Sequence, residues 1–383
     1  MPSLQRFSRA RFATRFEFLV LGVIVGTWGT HIPTVAARYA LNDAALSLVM
    51  LTIAVGTVLA LFVAGRVIAR MGARNAVAVS GILMGLSLAL VLEYPGLATL
   101  LPAMLAFGAS MSVFDVAINT EGSELESLDG QRIMSNLHGM FSVGGMLGAG
   151  LTFVLLNLGV APRTQLVAVG ASFALLAAVV SRAMLDAHGK PDGDLAHFAW
   201  PRGALLLIGI LVFAGMTAEG VMYDWSVLYL KEEIGMPQAR AALGYGTFMV
   251  SMALARFGGD ALRTRFAERD LLRYGAAVAA VAMGLVLVSA NAWIAFAGFA
   301  VVGAGLAPIA PILFNAATRV PGVSRAAAIA SVTTIGYSGF IVGPPVIGGI
   351  ATLSSLTVAL FTVVACAALV TWGAGWVPTD RGG

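Results

Sequence analysis

Three carboxylates, Asp115, Glu219 and Asp224, lie within long apolar stretches of the sequence. A charged side chain within hydrocarbon costs about 2.5 to 3.5 kcal/mol on insertion scales, so each of them is a functional candidate. The pKa of a carboxylate rises in a poorly hydrated cavity, and histidine titrates in the same range. Asp115, Glu219, His31 and His138 therefore have the chemistry that proton coupling requires.

Asp115 and Asn119 are four residues apart in the fourth apolar stretch, so a helix places them on one face. If this helix ends near Glu121, Asp115 lies about 9 Å inside its boundary. His138 is near the start of the next, antiparallel stretch and reaches a similar depth. We expect an inner polar cluster, which serves in coupling or only ties the two helices together.

His31 lies about 22 Å along the first stretch from Phe16, and Glu219 lies about 24 Å along the seventh from Gly203. The two side chains are therefore expected at one depth as an outer pair. Glu219 then has a coupling or substrate role, a structural pairing with His31, or a position facing solvent. Asp224 is nearer the outer surface, where it is an interfacial residue or a gate contact.

Aromatic residues lie on the same faces, since Trp28 precedes His31 by three residues and Tyr223 follows Glu219 by four. An aromatic ring with a few hydrogen-bonding groups is typical of a site for a polar ligand such as a sugar or an aminocyclitol. The alternative is an aromatic belt at the outer membrane interface, which we predict for Trp225 and for Tyr229.

Asn119 and Asp224 are also candidates for the substrate cavity. Thr333 and Tyr337, one turn apart in the eleventh stretch, are further candidates, although helix packing explains these two equally well. Most of the other acids are expected in water. Glu17 is predicted at the start of the first helix, where its charge favours the positive pole of the helix dipole. The remaining ones follow the fourth helix or belong to a central linker: Glu121, Glu124, Glu126, Asp129, Asp186, Asp192 and Asp194.

Composition explains why these residues must be positioned within a membrane. Of 383 residues, 11% are charged and 59% are hydrophobic, and the mean hydropathy is +0.90. Soluble domains contain about 25% charged residues, so a water-soluble globule is excluded. The single cysteine, Cys366, excludes a disulfide framework and a cysteine-ligated zinc site.

Twelve apolar stretches are each long enough for a spanning helix, which needs about 20 residues. They are continuous rather than alternating, so they predict helices and not the strands of a membrane barrel. The stretches begin near Phe16, Ala44, Ala76, Ala98, Ile133, Thr164, Gly203, Ala241, Leu271, Ala292, Ala326 and Ser354.

The distribution of positive charge predicts the orientation. Nineteen of the 23 Lys and Arg residues are predicted in loops on one side of the membrane, and Arg256 is one of these nineteen. Because basic loops face the cytoplasm, both termini, which lie on the same side, are predicted to be cytoplasmic. A polar linker at 186–201 separates two six-helix halves, 1–185 and 202–383. The halves repeat weakly, since the Arg70-Met-Gly-Ala-Arg74 loop has a counterpart in Arg265-Phe-Ala-Glu-Arg269, at an offset of 195 residues.

The loop after the second helix contains Gly65, Arg70, Gly72 and Arg74 in a pattern that resembles the G-x-x-x-D-R-x-G-R-R motif of the major facilitator superfamily. Glycines allow a tight turn, and arginines favour the negative end of a helix dipole. The resemblance implies a gating loop. Ala69 stands where the family has an aspartate, so that part of the charge network is absent.

Four further stretches resemble the MosC-like, rhizopine-associated branch of that superfamily: 26–33, 115–119, 137–139 and 219–230. The resemblance implies an all-α membrane protein of twelve helices, the major facilitator fold, with a cavity lined by helices 1, 4, 7 and 10. The superfamily's antiporters have a G-P-x-x-G-G run in helix 5. Here the segment from Gly144 to Gly150 lacks the proline, and we interpret its small residues as close helix packing.

Several classes of function have no support in the sequence. There is no phosphate-binding loop for ATP and no spacing typical of a metal site or of a channel filter. Ser135 lies three residues from His138, but a serine at a helix start is usually a cap. We therefore expect no enzyme, no cofactor, no metal and no nucleic-acid partner.

The sequence predicts a monomeric, multi-pass transporter in a bacterial inner membrane, in contact with lipid. It would move a small polar solute, such as a sugar or a cyclitol, by proton-coupled symport. The alternatives are a proton-coupled exporter of metabolites or drugs, which the missing helix 5 proline disfavours, and a non-transporting membrane sensor or scaffold, which has no need of acids within the bilayer.

Overall fold

The computed structural model describes residues 4–130, 133–185, 187, 202–323 and 325–378. Within these ranges all the regular secondary structure is helical. Most of the predicted linker at 186–201 lies outside the described residues, including Asp186, Asp192 and Asp194.

The α-helices of the described chain vary in length from 9 to 47 residues. In chain order they are α1 (Leu4–Arg38), α2 (Asp43–Ala89), α3 (Leu97–Asp129), α4 (Met134–Asn157), α5 (Pro162–Val180), α6 (Ala204–Glu232), α7 (Gln238–Arg265), α8 (Glu268–Ser289), α9 (Ala292–Leu306), α10 (Ile309–Ala317), α11 (Arg325–Leu353) and α12 (Leu356–Gly373). Short 3₁₀ turns, Ser181–Ala183 and Ala374–Trp376, follow α5 and α12.

Ten helical segments of the described chain are long and apolar enough to cross a membrane. Helix α2, with 47 residues, consists of two helical segments that join two of the predicted stretches across a kink at Gly72. Helices α9 and α10 together form one such segment, Ala292–Ala317. Helix α7 is not among the ten. The presence of twelve spans and the cytoplasmic location of both termini therefore remain predictions.

The chain forms two compact units. The first contains Met1–Pro191 and Pro237–Gly246, and the second contains Asp192–Met236 and Thr247–Gly383. The boundary therefore falls within α7, whose first residues belong to the first unit and whose remainder belongs to the second.

Glycines bring α1 and α4 of the first unit into backbone contact. A Cβ atom on Gly144 would lie 2.0 Å from the carbonyl oxygen of Leu19, and one on Gly22 would lie 2.0 Å from that of Phe141. No larger residue fits at this distance without moving the helices apart. The prediction that the small residues of this segment serve close packing is confirmed for Gly144 and Gly148 but not for Gly150, which has no neighbour within 4 Å of a built Cβ.

Of the two glycines in the predicted gating loop, Gly72 is the one at which the backbone conformation requires a glycine. Its φ of 79° interrupts α2 in a conformation that other residues adopt only with strain. Gly65, in contrast, is helical and has open space around its Cα. The Arg70 side chain is exposed, whereas a guanidinium nitrogen of Arg74 donates to the carbonyl oxygen of Met184 at 2.9 Å.

Glu121 holds the same region together and is not the solvated loop residue that we predicted. It is fully buried within α3, where it accepts hydrogen bonds from the backbone N–H groups of Leu185 and Ala187, the latter at 3.0 Å. Because α3 continues to Asp129, Glu121 lies inside the helix rather than in the loop after it. Asp129 itself pairs with Arg11 at 3.3 Å.

Two other acids that were predicted after the fourth helix have different environments: one is exposed to solvent, as predicted, and the other caps a helix. Glu124 is exposed, and Glu126 accepts a hydrogen bond from the backbone N–H of Met134 at 3.0 Å, at the start of α4. A carboxylate at this position satisfies N–H groups that have no partner within the helix.

Glu17 is also buried, contrary to the prediction. Its exposed fraction is 0%, and neither of its carboxylate oxygens has a hydrogen-bond partner within the described chain. Helix α1 begins at Leu4 rather than near Phe16, so Glu17 lies inside the helix, too far from its start for a favourable dipole interaction.

The second unit packs α6 against α11 and α12, and α8 against α9 and α12. Trp225 and Tyr229 of α6 are buried, with exposed fractions of 1% and 0%. The Tyr229 ring lies 6.5 Å from that of Phe299, centroid to centroid. The predicted aromatic belt is therefore wrong for both residues, because this face of α6 is covered by protein.

Replacing Gly144 by Ala should destabilise the protein by about 1 to 3 kcal/mol, the usual cost of overpacking, because the new Cβ would meet a backbone oxygen. The matched control is Gly150→Ala in the same helix, where a Cβ has no neighbour within 4 Å. Thermal unfolding of the purified variants in detergent measures the difference. Equal melting temperatures for the two variants would contradict the packing described for α1 and α4.

Replacing Glu17 by Gln should leave the melting temperature unchanged or raise it, because the amide carries no charge to desolvate. Glu17→Lys should lower it, since a buried unpaired ammonium is costly. The exposed Glu124→Gln variant is the control, with no expected change. A clear loss of stability in Glu17→Gln alone would show that the Glu17 carboxylate has a charged partner.

Candidate functional site

An ion pair between two helices forms the centre of the candidate site in the second unit. Arg256 Nη2 of α7 lies 2.9 Å from Glu219 Oε1 of α6. The exposed fractions of the two side chains are 15% and 17%, so both are largely buried yet can still be reached from outside. We call Glu219, Arg256 and Tyr223 the charge cluster.

The position of Arg256 corrects the prediction that it lies in a loop. Helix α7 extends from Gln238 to Arg265, which places Arg256 about 13 Å before the end of the helix. Glu219 is equally internal, since α6 extends from Ala204 to Glu232.

Tyr223 completes the charge cluster from the turn of α6 that follows Glu219. Its hydroxyl donates a hydrogen bond to Glu219 Oε1, the oxygen that also contacts Arg256. The hydroxyl lies 3.7 Å from the sulfur of Met252, and the ring packs edge-on against Phe248 at 5.7 Å. The polar atoms of the cluster are therefore bounded by apolar side chains.

The energetics of such a cluster depend on keeping both charges. The attraction between two buried charges offsets their loss of hydration only while both are present, and removing one partner typically costs about 3 to 5 kcal/mol. Arg256 and Glu219 therefore stabilise each other's charge within an apolar surrounding.

Asp224 lies one residue after Tyr223 and contributes to a narrow pocket between α6 and α11. Within the described chain its carboxylate makes no hydrogen bond or ion pair. The pocket is lined by Thr217, Gly220, Val221, Trp225, Gly339, Phe340, Gly343 and Pro344.

The two candidates on α11 are partly buried. Tyr337 packs edge-on against Phe340 with ring centroids 5.8 Å apart, and Thr333 lies one turn before it. Phe340 connects these residues to the pocket that contains Asp224.

His31, in the first unit, is fully buried and has a neutral partner on each ring nitrogen. Nε2 lies 3.2 Å from Gln165 Oε1, and Nδ1 lies 3.2 Å from Thr34 Oγ1. Gln238, in the segment of α7 that belongs to this unit, donates to Thr34 Oγ1 at 2.8 Å. These partners replace the Glu219 that we predicted for His31.

Asp115 and Asn119 share one face of α3, as predicted. The amide nitrogen of Asn119 donates to Asp115 Oδ1 at 3.1 Å and to the Asp115 carbonyl oxygen at 2.8 Å. Because α3 continues to Asp129, Asp115 lies about 21 Å from the end of the helix, deeper than the predicted 9 Å or so.

His138 and Trp28 each pack against a phenylalanine. The His138 ring of α4 lies edge-on to Phe18 of α1 at 5.4 Å. Trp28 has an exposed fraction of 5% and lies 5.9 Å from Phe107 of α3. Trp28 is therefore part of the interior of the first unit, whereas His138 is exposed and contacts Phe18 at the surface of that unit.

Arg256, Gln165 and Thr34 belong to polar clusters in which the sequence did not predict them. Arg256 is 15 residues beyond the predicted helix start at Ala241, a distance that already indicated a position inside the helix. In the described residues, no group of three or more His, Cys, Asp or Glu side chains has a geometry that holds a metal ion.

Comparisons with known proteins identify the family. No family model matches the chain. A protein of Yersinia pestis described as an uncharacterised MFS-type transporter is 37% identical, over 94% of this chain and 95% of its own. Membrane protein MosC of Rhizobium meliloti is 31% identical, over 97% of this chain and 91% of its own.

Solved structures have the same fold at low sequence identity. The nucleoside transporter NupG superposes with a TM-score of 0.77 at 12% identity, over 97% of this chain and 99% of the other. The fucose:proton symporter of E. coli gives a TM-score of 0.65 at 18% identity, over 98% and 99%. With relatives above 30% identity over nearly its whole length, the chain belongs to the major facilitator superfamily, as a multi-pass membrane transporter of small molecules.

Proposed function

We propose that the protein is a secondary active transporter that moves a small polar organic solute across a bacterial inner membrane by alternating access, as a proton-coupled symporter and as a monomer. The observation that carries this proposal is the charge cluster. A carboxylate and a guanidinium are held together, largely buried, in helices of a membrane transporter. Groups of this kind within a membrane are typical of proton relays and substrate pathways.

The charge cluster can couple a proton to a conformational change because Glu219 has two distinct partners on one oxygen. As a carboxylate it accepts from both Tyr223 and Arg256. As a carboxylic acid it no longer compensates the charge of Arg256. A ligand or proton shifts a conformational equilibrium only by its different affinity for the two states, and the loss of an ion pair supplies such a difference.

The first unit supplies a second carboxylate for the same task. Asp115 is partly exposed on α3 and is held by the amide of Asn119, a neutral partner. A carboxylate with a neutral partner can bind a proton without leaving a cation uncompensated. We assign Asp115 a proton or solute contact, and His31 a positioning role through Gln165 and Thr34.

The polar solute would be held by hydrogen-bonding groups near apolar and aromatic surfaces. Asn119 and Tyr223 are partly exposed and carry such groups, and Asp224, Thr333 and Tyr337 are further candidates. A few polar groups on a mainly apolar wall are the usual design of a small-molecule site.

Replacing Glu219 by Gln should abolish solute-dependent proton influx, because the amide cannot bind a proton at neutral pH. The wild type is reconstituted in liposomes that contain a pH-sensitive dye, and sugars, cyclitols, sugar acids, nucleosides and amino acids are added one at a time. Internal acidification by one solute identifies both substrate and coupling.

The control is Glu124→Gln, which changes an exposed carboxylate and should retain the acidification. Melting temperatures of both variants are measured in parallel to separate loss of coupling from loss of folding. Undiminished acidification in Glu219→Gln would remove this residue from the coupling mechanism.

A further inference from the structure

The narrow pocket between α6 and α11 that contains Asp224, here called the Asp224 pocket, is a polar site separate from the charge cluster. Asp224 directly follows Tyr223, so the helix turns its side chain about 100° away from that of Tyr223. In the part of the chain that the structure describes, the Asp224 carboxylate makes no hydrogen bond and no ion pair. None of the other residues that line the pocket is charged. The counter-charge for Asp224 therefore has to come from outside the pocket.

A hydroxyl group of the same pocket also lacks a partner. Thr217 lies two turns before Asp224 on the same face of α6, because seven residues make nearly two full turns. Its exposed fraction is 5%, and its Oγ1 atom is buried without a hydrogen-bond partner within the described residues. A Cβ on Gly339 of α11 would lie 2.5 Å from this oxygen, so the glycine is what allows the hydroxyl to face α11. Leaving a buried hydroxyl without a partner is unfavourable, which indicates a polar occupant.

The α11 wall of the Asp224 pocket contributes a backbone oxygen. Pro344 lies inside α11 and has no N–H group, so it cannot donate to the carbonyl oxygen of Phe340, four residues earlier. Both residues line the pocket. In transporters, carbonyl oxygens released at a break in a helix are typical ligands of coupling ions such as sodium. The residues of the pocket thus offer a carboxylate, a hydroxyl and a released carbonyl.

These groups determine the chemistry of the occupant. The carboxylate and the carbonyl only accept, so the occupant is a donor or a cation. A proton on Asp224 would satisfy one acceptor, whereas a metal ion with its bound water contacts several oxygens at once. Oxygen ligands select hard cations, and a single carboxylate is neutralised by a monovalent one. A Cβ on Gly220 would lie 3.0 Å from the Phe340 ring, so the two helices are close and favour sodium over the larger potassium ion.

We propose that the Asp224 pocket binds a sodium ion. The Asp224 carboxylate and the released carbonyl of Phe340 are its protein ligands, and water completes the shell. Thr217 lies about 10 Å from Asp224 along the helix axis, so its hydroxyl contacts the ion through water. The inference goes beyond the proposed function, in which Asp224 is one of several candidate contacts with the solute. Because the ligands belong to α6 and α11, the bound ion joins the two helices and stabilises the folded protein.

Thermal unfolding in different salts tests the site. The purified protein is heated in detergent in sodium, potassium or choline chloride of equal ionic strength. At saturating concentration, sodium should raise the melting temperature of the wild type by about 2 to 4 °C relative to choline, and potassium should raise it less. Binding of radioactive sodium to the wild type, with displacement by unlabelled sodium but not by choline, measures the same site directly.

Three variants locate the ion. Asp224→Asn keeps the shape of the side chain and removes its charge, so it should lose the sodium-specific shift and be at least as stable as the wild type in choline. Thr217→Val keeps the size and removes the hydroxyl, so it should need about 3-fold to 10-fold more sodium for half-maximal binding. Glu124→Gln changes an exposed carboxylate elsewhere and should keep the full shift.

No displaceable binding of radioactive sodium to the wild type would overturn the proposal, and so would a sodium shift of unchanged size in Asp224→Asn. If Asp224→Asn does not fold, the binding of sodium to Thr217→Val decides, and an affinity equal to that of the wild type counts against the site. The result is separable from that of the proton-influx experiment, because it measures binding and not transport.

Discussion

The cost of placing charge among apolar helices is the constraint on which the rest of the structure depends. With 59% hydrophobic residues, the chain contains few polar side chains, and many of the buried ones in the described residues have specific hydrogen-bond partners. Glu219 is compensated by Arg256, Glu121 by backbone N–H groups, and His31 by two neutral side chains. Glu17 has no partner for either oxygen within the described chain, and the hydroxyls of Thr217, Ser226 and Ser331 have none there either.

Packing supplies the rigidity that keeps such groups in place. Association of helices in lipid depends on van der Waals contact and interhelical hydrogen bonds, because lipid tails are as apolar as leucine. The contact of α1 with α4 through Gly22 and Gly144 is of this kind. It supports the helix that carries His31 and the helix that carries His138.

Much of this was predictable from the sequence. Apolar stretches predicted helices close to those observed, as for the stretch near Ile133 and α4, which begins at Met134. Spacing of four residues placed Asn119 against Asp115 and Tyr223 against Glu219. The errors have physical causes. Helices longer than a bilayer requires brought Glu17 and Glu121 inside, where the sequence pattern indicated loops or helix ends.

Other features could not be predicted because depth along a helix does not determine direction around it. His31 and Glu219 were expected at one height, but each has other partners. Assigning basic residues to loops as a group also concealed Arg256. An arginine inside an apolar helix requires a counter-charge, and this rule would have indicated a carboxylate on a neighbouring helix.

Infrared difference spectroscopy tests the central claim, that Glu219 of the charge cluster takes up a proton. Spectra of the wild-type protein at acidic and at neutral pH are compared in the region of the protonated carboxyl C=O stretch. We predict a new band of a protonated carboxyl group that is missing in Glu219→Gln and present in Glu124→Gln. The absence of this band in the wild type, or the same band in Glu219→Gln, would contradict the account.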